Sequence, residues 1–180
     1  MGLTRRQLLK YGAGGAALLA LGGIGLSLQR TITRTPRAEL AALSEREFSI
    51  LAAVADRIAP GGDGFPSAWD AHVPEKLDAL FATMHPGAVD ELKQALALLE
   101  NAAAGLLLDG RTSTFTGSSG DEQDDILQAW RTSNLQVRRT AFKALNGLIG
   151  ATYWSSSDVF AAIGYPGPLA LNAAADEDPT

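Results

Sequence analysis

The sequence predicts an all-α protein: a small bundle of about four main helices with a Pro/Gly- and aromatic-rich C-terminal tail, preceded by an N-terminal signal or anchor helix. Three observations carry this prediction. Apolar residues recur at helical spacing from Ala38 onward, turn residues separate the runs, and no stretch shows sustained alternation of period two. Ser44-Glu45-Arg46-Glu47 reads as a capping box. It opens a helix whose stripe is Phe48, Leu51, Ala55 and Ile58, stopped by Pro60-Gly61-Gly62. A Gly/Pro-rich loop reaches to Pro66. Val73, Leu77, Leu80, Phe81 and Met84 form the face of a second helix, broken at His85-Pro86. Pro86 suits the first turn of a third, carrying Val89, Leu92, Leu96, Leu99 and Leu106 and ending near Asp109-Gly110. After a polar loop, Ser119 to Glu122 supplies a second capping box. One long helix is then expected to about Ile149, with Trp130, Asn134, Val137, Ala141, Leu145 and Leu148 on one face. The tail holds Tyr153-Trp154, three serines, a short helix and Gly164-Tyr165-Pro166-Gly167-Pro168.

Charge divides the chain in two. Of 180 residues, 46% are hydrophobic and 19% charged, and the net charge is −5. Residues 1–37 hold six basic residues and no acid, leaving nine basic against twenty acidic residues in 38–180, a net of −11. Such an acidic body is unsuited to wrapping nucleic acid. There is no cysteine, which excludes disulfides, thiolate metal sites, cysteine-ligated iron–sulfur clusters and covalently attached haem. At the basic end, Thr4-Arg5-Arg6-Gln7-Leu8-Leu9-Lys10 precedes an uncharged run from Tyr11 to Leu28 that contains six glycines. A twin arginine before a moderately apolar stretch is the pattern of a twin-arginine export signal, with Arg5, Arg6, Leu8, Leu9 and Lys10 as its address. Eighteen residues at 1.5 Å each span roughly 27 Å, close to the hydrocarbon thickness. Cleavage after export and retention as an anchor in the cytoplasmic membrane both fit. Residues 1–37 are therefore read as signal or anchor, and 38–180 as a helical domain on the periplasmic side.

Chemistry is sparse in the body. His72 and His85 lack metal-ligand spacing and read as surface or capping residues. The acidic run Asp121 to Asp125 lacks the ligand alternation of a calcium loop and suits the first turn of a helix. The glycine-rich stretches at Gly61 and Gly117 neither follow a strand nor precede Lys-Ser/Thr. Ser155, Ser156 and Ser157 have no base beside them and read as helix caps, and Arg138-Arg139 as a solvated face. What stands out is a set of aromatic residues beside turn residues. Phe65, Trp69, Tyr153, Trp154, Phe160 and Tyr165, with Pro166, are candidates for a surface buried against a partner. Trp130, by contrast, reads as core.

Three segments carry a resemblance. Leu51 to Leu77, LAAVADRIAPGGDGFPSAWDAHVPEKL, is similar to the leading segment of the gluconate 2-dehydrogenase subunit 3 family. Asp121-Glu122-Gln123-Asp124-Asp125-Ile126-Leu127 resembles that family's Glu-Gln-x-x-Ile-Leu helix start. The close from Trp154 to Pro168 resembles its C-terminal signature, of which Ile-Gly-Tyr-Pro-Gly-Pro is the most specific part. The glycine-rich stretch that often precedes the signature is replaced here by Tyr153-Trp154-Ser155-Ser156-Ser157.

The resemblance implies a small, non-catalytic subunit of a membrane-associated sugar or polyol dehydrogenase, holding no cofactor itself. The implied partners are an FAD-dependent catalytic subunit of the glucose–methanol–choline type, a c-type cytochrome and the twin-arginine translocase. FAD, with iron–sulfur or haem c, would reside in those partner subunits, and the small subunit would carry the export signal for both chains. A free-standing, membrane-anchored helical binding protein outside the cytoplasmic membrane is the second reading.

Overall fold

A computed structural model describes residues 31–166 apart from 103, 106–109 and 111. Six helices are named among them, and the one strand-like contact is a bridge between Gly62 and Phe65. They are α1 (Glu45–Ile58), α2 (Val73–Phe81), α3 (Pro86–Glu100), α4 (Gly120–Arg131), α5 (Gln136–Trp154) and α6 (Ser157–Ala162). The all-α bundle is the architecture expected.

Helix α1 is the centre. Every residue from Phe48 to Ala55 is buried, and α2, α3, α4 and α5 all pack against it. The predicted stripe of Phe48, Leu51, Ala55 and Ile58, the last of these half-buried, is thus too narrow, because small residues such as Ser49, Ala52 and Ala53 admit neighbours on the remaining sides. The Ser44 capping box forms as expected: the Ser44 hydroxyl accepts from the Glu47 amide and the Glu47 carboxylate from the Ser44 amide. Val73, Leu77 and Phe81 of α2 and Val89, Leu92, Leu96 and Leu99 of α3 supply the facing walls. Leu80 differs, being 41% exposed, and α2 stops before Met84.

Two further predicted helices are also shorter than expected. Helix α3 ends at Glu100, not near Asp109, because Asn101 turns extended and its side-chain oxygen accepts from the Ala104 amide, capping a new turn. The expected long final helix is two helices, α4 and α5. Thr132 hands its hydroxyl to the Gln128 carbonyl, Ser133 accepts from the Leu135 amide, and Arg139 donates to the Ser133 carbonyl. These local polar bonds replace a helical turn. They also correct the reading of Arg138-Arg139 as a solvated face. Arg138 is buried with its guanidinium 5.3 Å from the Trp130 ring centre, and Arg139 is spent on the turn.

Two buried carboxylates organise the non-helical chain. Asp78 of α2 accepts the amides of Ala41, Ala42 and Leu43 at 2.6, 3.1 and 2.7 Å, and so positions the entry to α1. Glu100, fully buried, accepts the Thr116 amide at 2.9 Å and its hydroxyl at 2.6 Å, holding the 112–119 loop so that Phe115 enters the core. Thr116 in turn accepts the Ile32 amide at 3.0 Å. Farther along this segment the Arg34 amide donates to Ser49 and the Arg34 guanidinium pairs with Asp56. Residues 31–37 therefore lie against the body. At the far end of α1, Arg57 grips Asp124 of α4 with two bonds of 2.8 and 2.5 Å.

Removing the Asp78 carboxylate would leave three amides in a buried site without an acceptor. Asp78→Ala is expected to lower the unfolding free energy by about 3 kcal/mol in urea titration, and Asp78→Asn by less, since an amide oxygen remains. Equal stability of the two variants and the parent chain would remove Asp78 from this role.

Candidate partner-binding site

The aromatic residues are brought together by the turn that stops α1. The Ala59 amide closes the helix on Ala55, and Gly61 follows at φ +78°. A Cβ at Gly61 would lie 2.7 Å from the Ser67 nitrogen, so both the backbone angle and the close approach call for glycine. Gly62 and Phe65 then exchange two backbone bonds of 3.0 Å. This tight turn sets the Phe65 ring edge-to-face on Trp154, with centres 6.2 Å apart.

Tyr153 and Trp154 end α5 and divide two tasks. Tyr153 is 4% exposed and its hydroxyl donates to the Pro66 carbonyl at 2.7 Å, fastening the turn to α5. Burial holds its phenol above the ordinary tyrosine pKa, so it stays a neutral donor. Trp154, one residue on, is 57% exposed and meets the Tyr153 ring edge-on at 5.2 Å. A cleft of about 240 Å³ lies between Phe65, Tyr153 and Trp154 and is bounded by Pro60, Gly61 and Gly150.

The tail adds a second aromatic pair. Phe160 and Tyr165 stand edge-to-face at 5.0 Å, and the Tyr165 amide returns to the Phe160 carbonyl across Gly164 at φ +65°. Tyr165 and Pro166 are exposed, as is Ile163, which sequence reasoning passed over although it directly precedes the turn. Helix α6 is tied to α2 by Lys76, which donates to the Ser156 hydroxyl at 2.7 Å and faces Asp158 at 3.7 Å. Ser156 stands at the start of α6, but its hydroxyl donates to Asp158 and caps no amide, which corrects the expectation of a serine cap.

Trp69 is engaged apart from these rings. It meets Phe48 edge-on at 6.3 Å, and the guanidinium groups of Arg37 and Arg34 stand 4.3 and 5.3 Å from its centre. Arg37 also donates to the Trp69 carbonyl at 2.6 Å. Trp130 is core, as expected. His85 caps α3 by accepting from the Gly87 amide, and His72 is exposed beside Arg37. Asp121 and Glu122 fall in the first turn of α4. Among the described residues no group of three or more His, Asp or Glu could hold a metal ion, and no helix is long and apolar enough to cross a membrane. Arg5, Arg6, Leu8, Leu9, Lys10 and the run that follows lie outside the described residues.

The unequal burial of the adjacent rings can be measured. Tyr153→Phe should cost about 1 kcal/mol of stability, the usual net worth of one hydrogen bond. Because the folded phenol titrates above the unfolded one, its contribution is present below about pH 10 and fades as pH rises through the folded value. Alkaline denaturation followed by circular dichroism should therefore lose part of its pH dependence in Tyr153→Phe, and an unaltered alkaline profile would contradict the assignment.

Comparison with known proteins agrees with the geometry in one respect and is silent in the others. Neither a curated protein nor a solved structure gives a significant match. The family model for gluconate 2-dehydrogenase subunit 3 matches residues 45–167, from the start of α1 to one residue beyond Pro166, the last one described. That span contains the whole described bundle and every aromatic residue of the candidate surface. The chain belongs to the gluconate 2-dehydrogenase subunit 3 family, and with it to the accessory subunits that associate with the catalytic subunit of a dehydrogenase complex.

Proposed function

We propose that this chain is a non-catalytic small subunit that binds an FAD-dependent dehydrogenase of the glucose–methanol–choline type, stabilises it and carries it through twin-arginine export. The observation that carries the reading is the exposed aromatic surface. Trp154, Tyr165 and Ile163 are 57, 45 and 50% exposed, each presented by a helix end or turn whose backbone is already held by bonds within the body. Large rings in water on a rigid scaffold suit a protein–protein contact, because little conformational freedom is left to lose on binding. The Phe65–Trp154 cleft fits one apolar side chain of the partner. Phe160 and Pro166 border the tail half of the surface, Tyr153 supports it from within, and Trp69 stands apart from it beside Arg34 and Arg37. In this reading the FAD, and any iron–sulfur or haem c group, belong to the partner subunits, a c-type cytochrome among them.

The basic N-terminal segment supports the export half of the proposal. Its twin arginine, apolar run and lack of acids suit delivery of a folded pair to the translocase, leaving the complex on the periplasmic side of the cytoplasmic membrane. The two halves separate experimentally. On co-expression with the flavoprotein, Arg5→Lys with Arg6→Lys should leave the complex assembled but cytoplasmic. Trp154→Ala should keep the small subunit folded and weaken its affinity for the flavoprotein by about 10- to 100-fold, the range for a central aromatic anchor. Export of active flavoprotein by the double-lysine variant would refute the escort role, and unchanged affinity in Trp154→Ala would refute the docking surface.

A further inference from the structure

The last residues of the basic segment are bound by the body more extensively than a linker needs. Residues 31–36 belong to no helix or strand, and Pro36 disfavours a helical Thr35. Such a stretch has no ladder of its own, so its order comes from partners outside it.

Those partners lie on four separate parts of the chain. Arg46, Ser49 and Asp56 share one face of α1, at helical spacing. Along that face the Arg46 guanidinium donates to the Thr31 hydroxyl at 3.0 Å, the Ser49 hydroxyl accepts the Arg34 amide at 2.9 Å, and Asp56 pairs with the Arg34 guanidinium. The 112–119 loop contributes Thr116, which accepts the Ile32 amide and donates to Glu100. The turn before α2 contributes Trp69, whose ring carries both guanidinium groups and whose carbonyl accepts from Arg37. Helix α2 itself adds Glu75, which accepts the Arg37 amide at 3.4 Å. All four parts must be assembled before the segment can dock. Its grip is nonetheless superficial, with Ile32 60% exposed and the Arg34 side chain 40%. A segment held by polar bonds over an exposed surface opens at lower free energy than the core beneath it.

We propose that residues 31–37 are a latch of the folded body, which closes only on the assembled fold, opens separately from it, and sets the boundary at which the export signal can be removed. Taking the N-terminal end as an export signal, as in the proposed function, its removal cuts before Thr31. The sequence offers small residues two apart at Gly23-Ile24-Gly25 and Gly25-Leu26-Ser27, both on the required side. A cut farther on would have to draw the chain off α1 and Trp69 into a form that a peptidase can hold. The exported domain therefore begins with the latch and not with Ala38. Retention as an anchor leaves the same latch as the junction between anchor and body.

Trypsin reads the latch in the full chain, purified from the cytoplasm, because Arg34 and Arg37 are themselves cleavage sites. Mass spectrometry of the resistant core should give an N-terminus at Thr31 or earlier. Asp56→Asn and, separately, Ser49→Ala each remove one grip on Arg34. Each should speed the cut after Arg34 about fivefold or more, the loss of one hydrogen bond, while the cut after Arg57 within α1 keeps its rate. A parent core that begins at Thr35 or Ala38 would overturn the latch. So would unchanged cutting after Arg34 in both variants, or equal acceleration after Arg34 and Arg57. In the exported chain, an N-terminus beyond Thr31 would overturn the boundary. Failure of export altogether would count against the escort reading, and the trypsin pattern would still decide the latch.

Discussion

Burying one helix on all sides is the constraint from which the rest of this structure follows. Once Phe48 to Ala55 are removed from water around the whole circumference of α1, the other helices must surround it and the chain must enter and leave through gaps between them. Those entrances are not helical, so their amides cannot bond within a helix and must find partners in a buried setting. Asp78 and Glu100 meet that need. Each is a carboxylate drawn into the interior by backbone amides or a hydroxyl, Asp78 at the entrance to α1 and Glu100 where the 112–119 loop crosses. A charged acceptor serves several donors at once, which a neutral side chain would do poorly.

The same central helix separates two kinds of surface. Near its first turn lie Thr31 and Ile32, held by Arg46 and Thr116, the first described residues of the basic segment. Beyond its last turn lie Pro60, Gly61 and Phe65, and the aromatic cleft. Fourteen residues of helix set these about 21 Å apart. A partner bound at the aromatic end would therefore leave Thr31 and Ile32 uncovered.

How much of this was legible in the sequence depends on how local each interaction is. Both capping boxes, Pro86 at the start of α3, the stop at Pro60-Gly61-Gly62 and the core position of Trp130 involve neighbours in sequence or helical periodicity, and all appear as expected. The division of the last helix at Thr132–Leu135 was hidden because its apolar spacing runs through the break, while the bonds that cause it come from three ordinary polar residues. Asp78, Glu100 and Phe115 were illegible for a different reason. A carboxylate on a helix usually reads as solvent-facing, and a lone Phe in a Ser/Thr/Gly loop carries no period. Their roles arise from amides sixteen to thirty-seven positions away. For the aromatic set, composition identified the residue types, but only the turn at Gly61 and the end of α5 decide which rings are exposed.

That decision is what makes the site workable. Tyr153 and Trp154 are adjacent, and a helix turns each successive side chain by about 100°, so one faces the core while the other faces water. The buried ring fixes the loop through Pro66, and the loop carries Phe65 against the exposed ring. The geometry of the outer surface is thus set by an inner bond that a partner never touches. Stability and recognition are consequently assigned to different residues of one dipeptide. Trp154 can be tuned to a particular catalytic subunit at little cost to the fold, whereas Tyr153 cannot change without loosening the surface that Trp154 presents. The tail repeats the arrangement less firmly. Tyr165 rests on Phe160, and Phe160 on a six-residue helix held to α2 through Lys76. A partner that covers Ile163 and Tyr165 would gain ring burial and also secure α6, so its binding should order the tail as well as cover it.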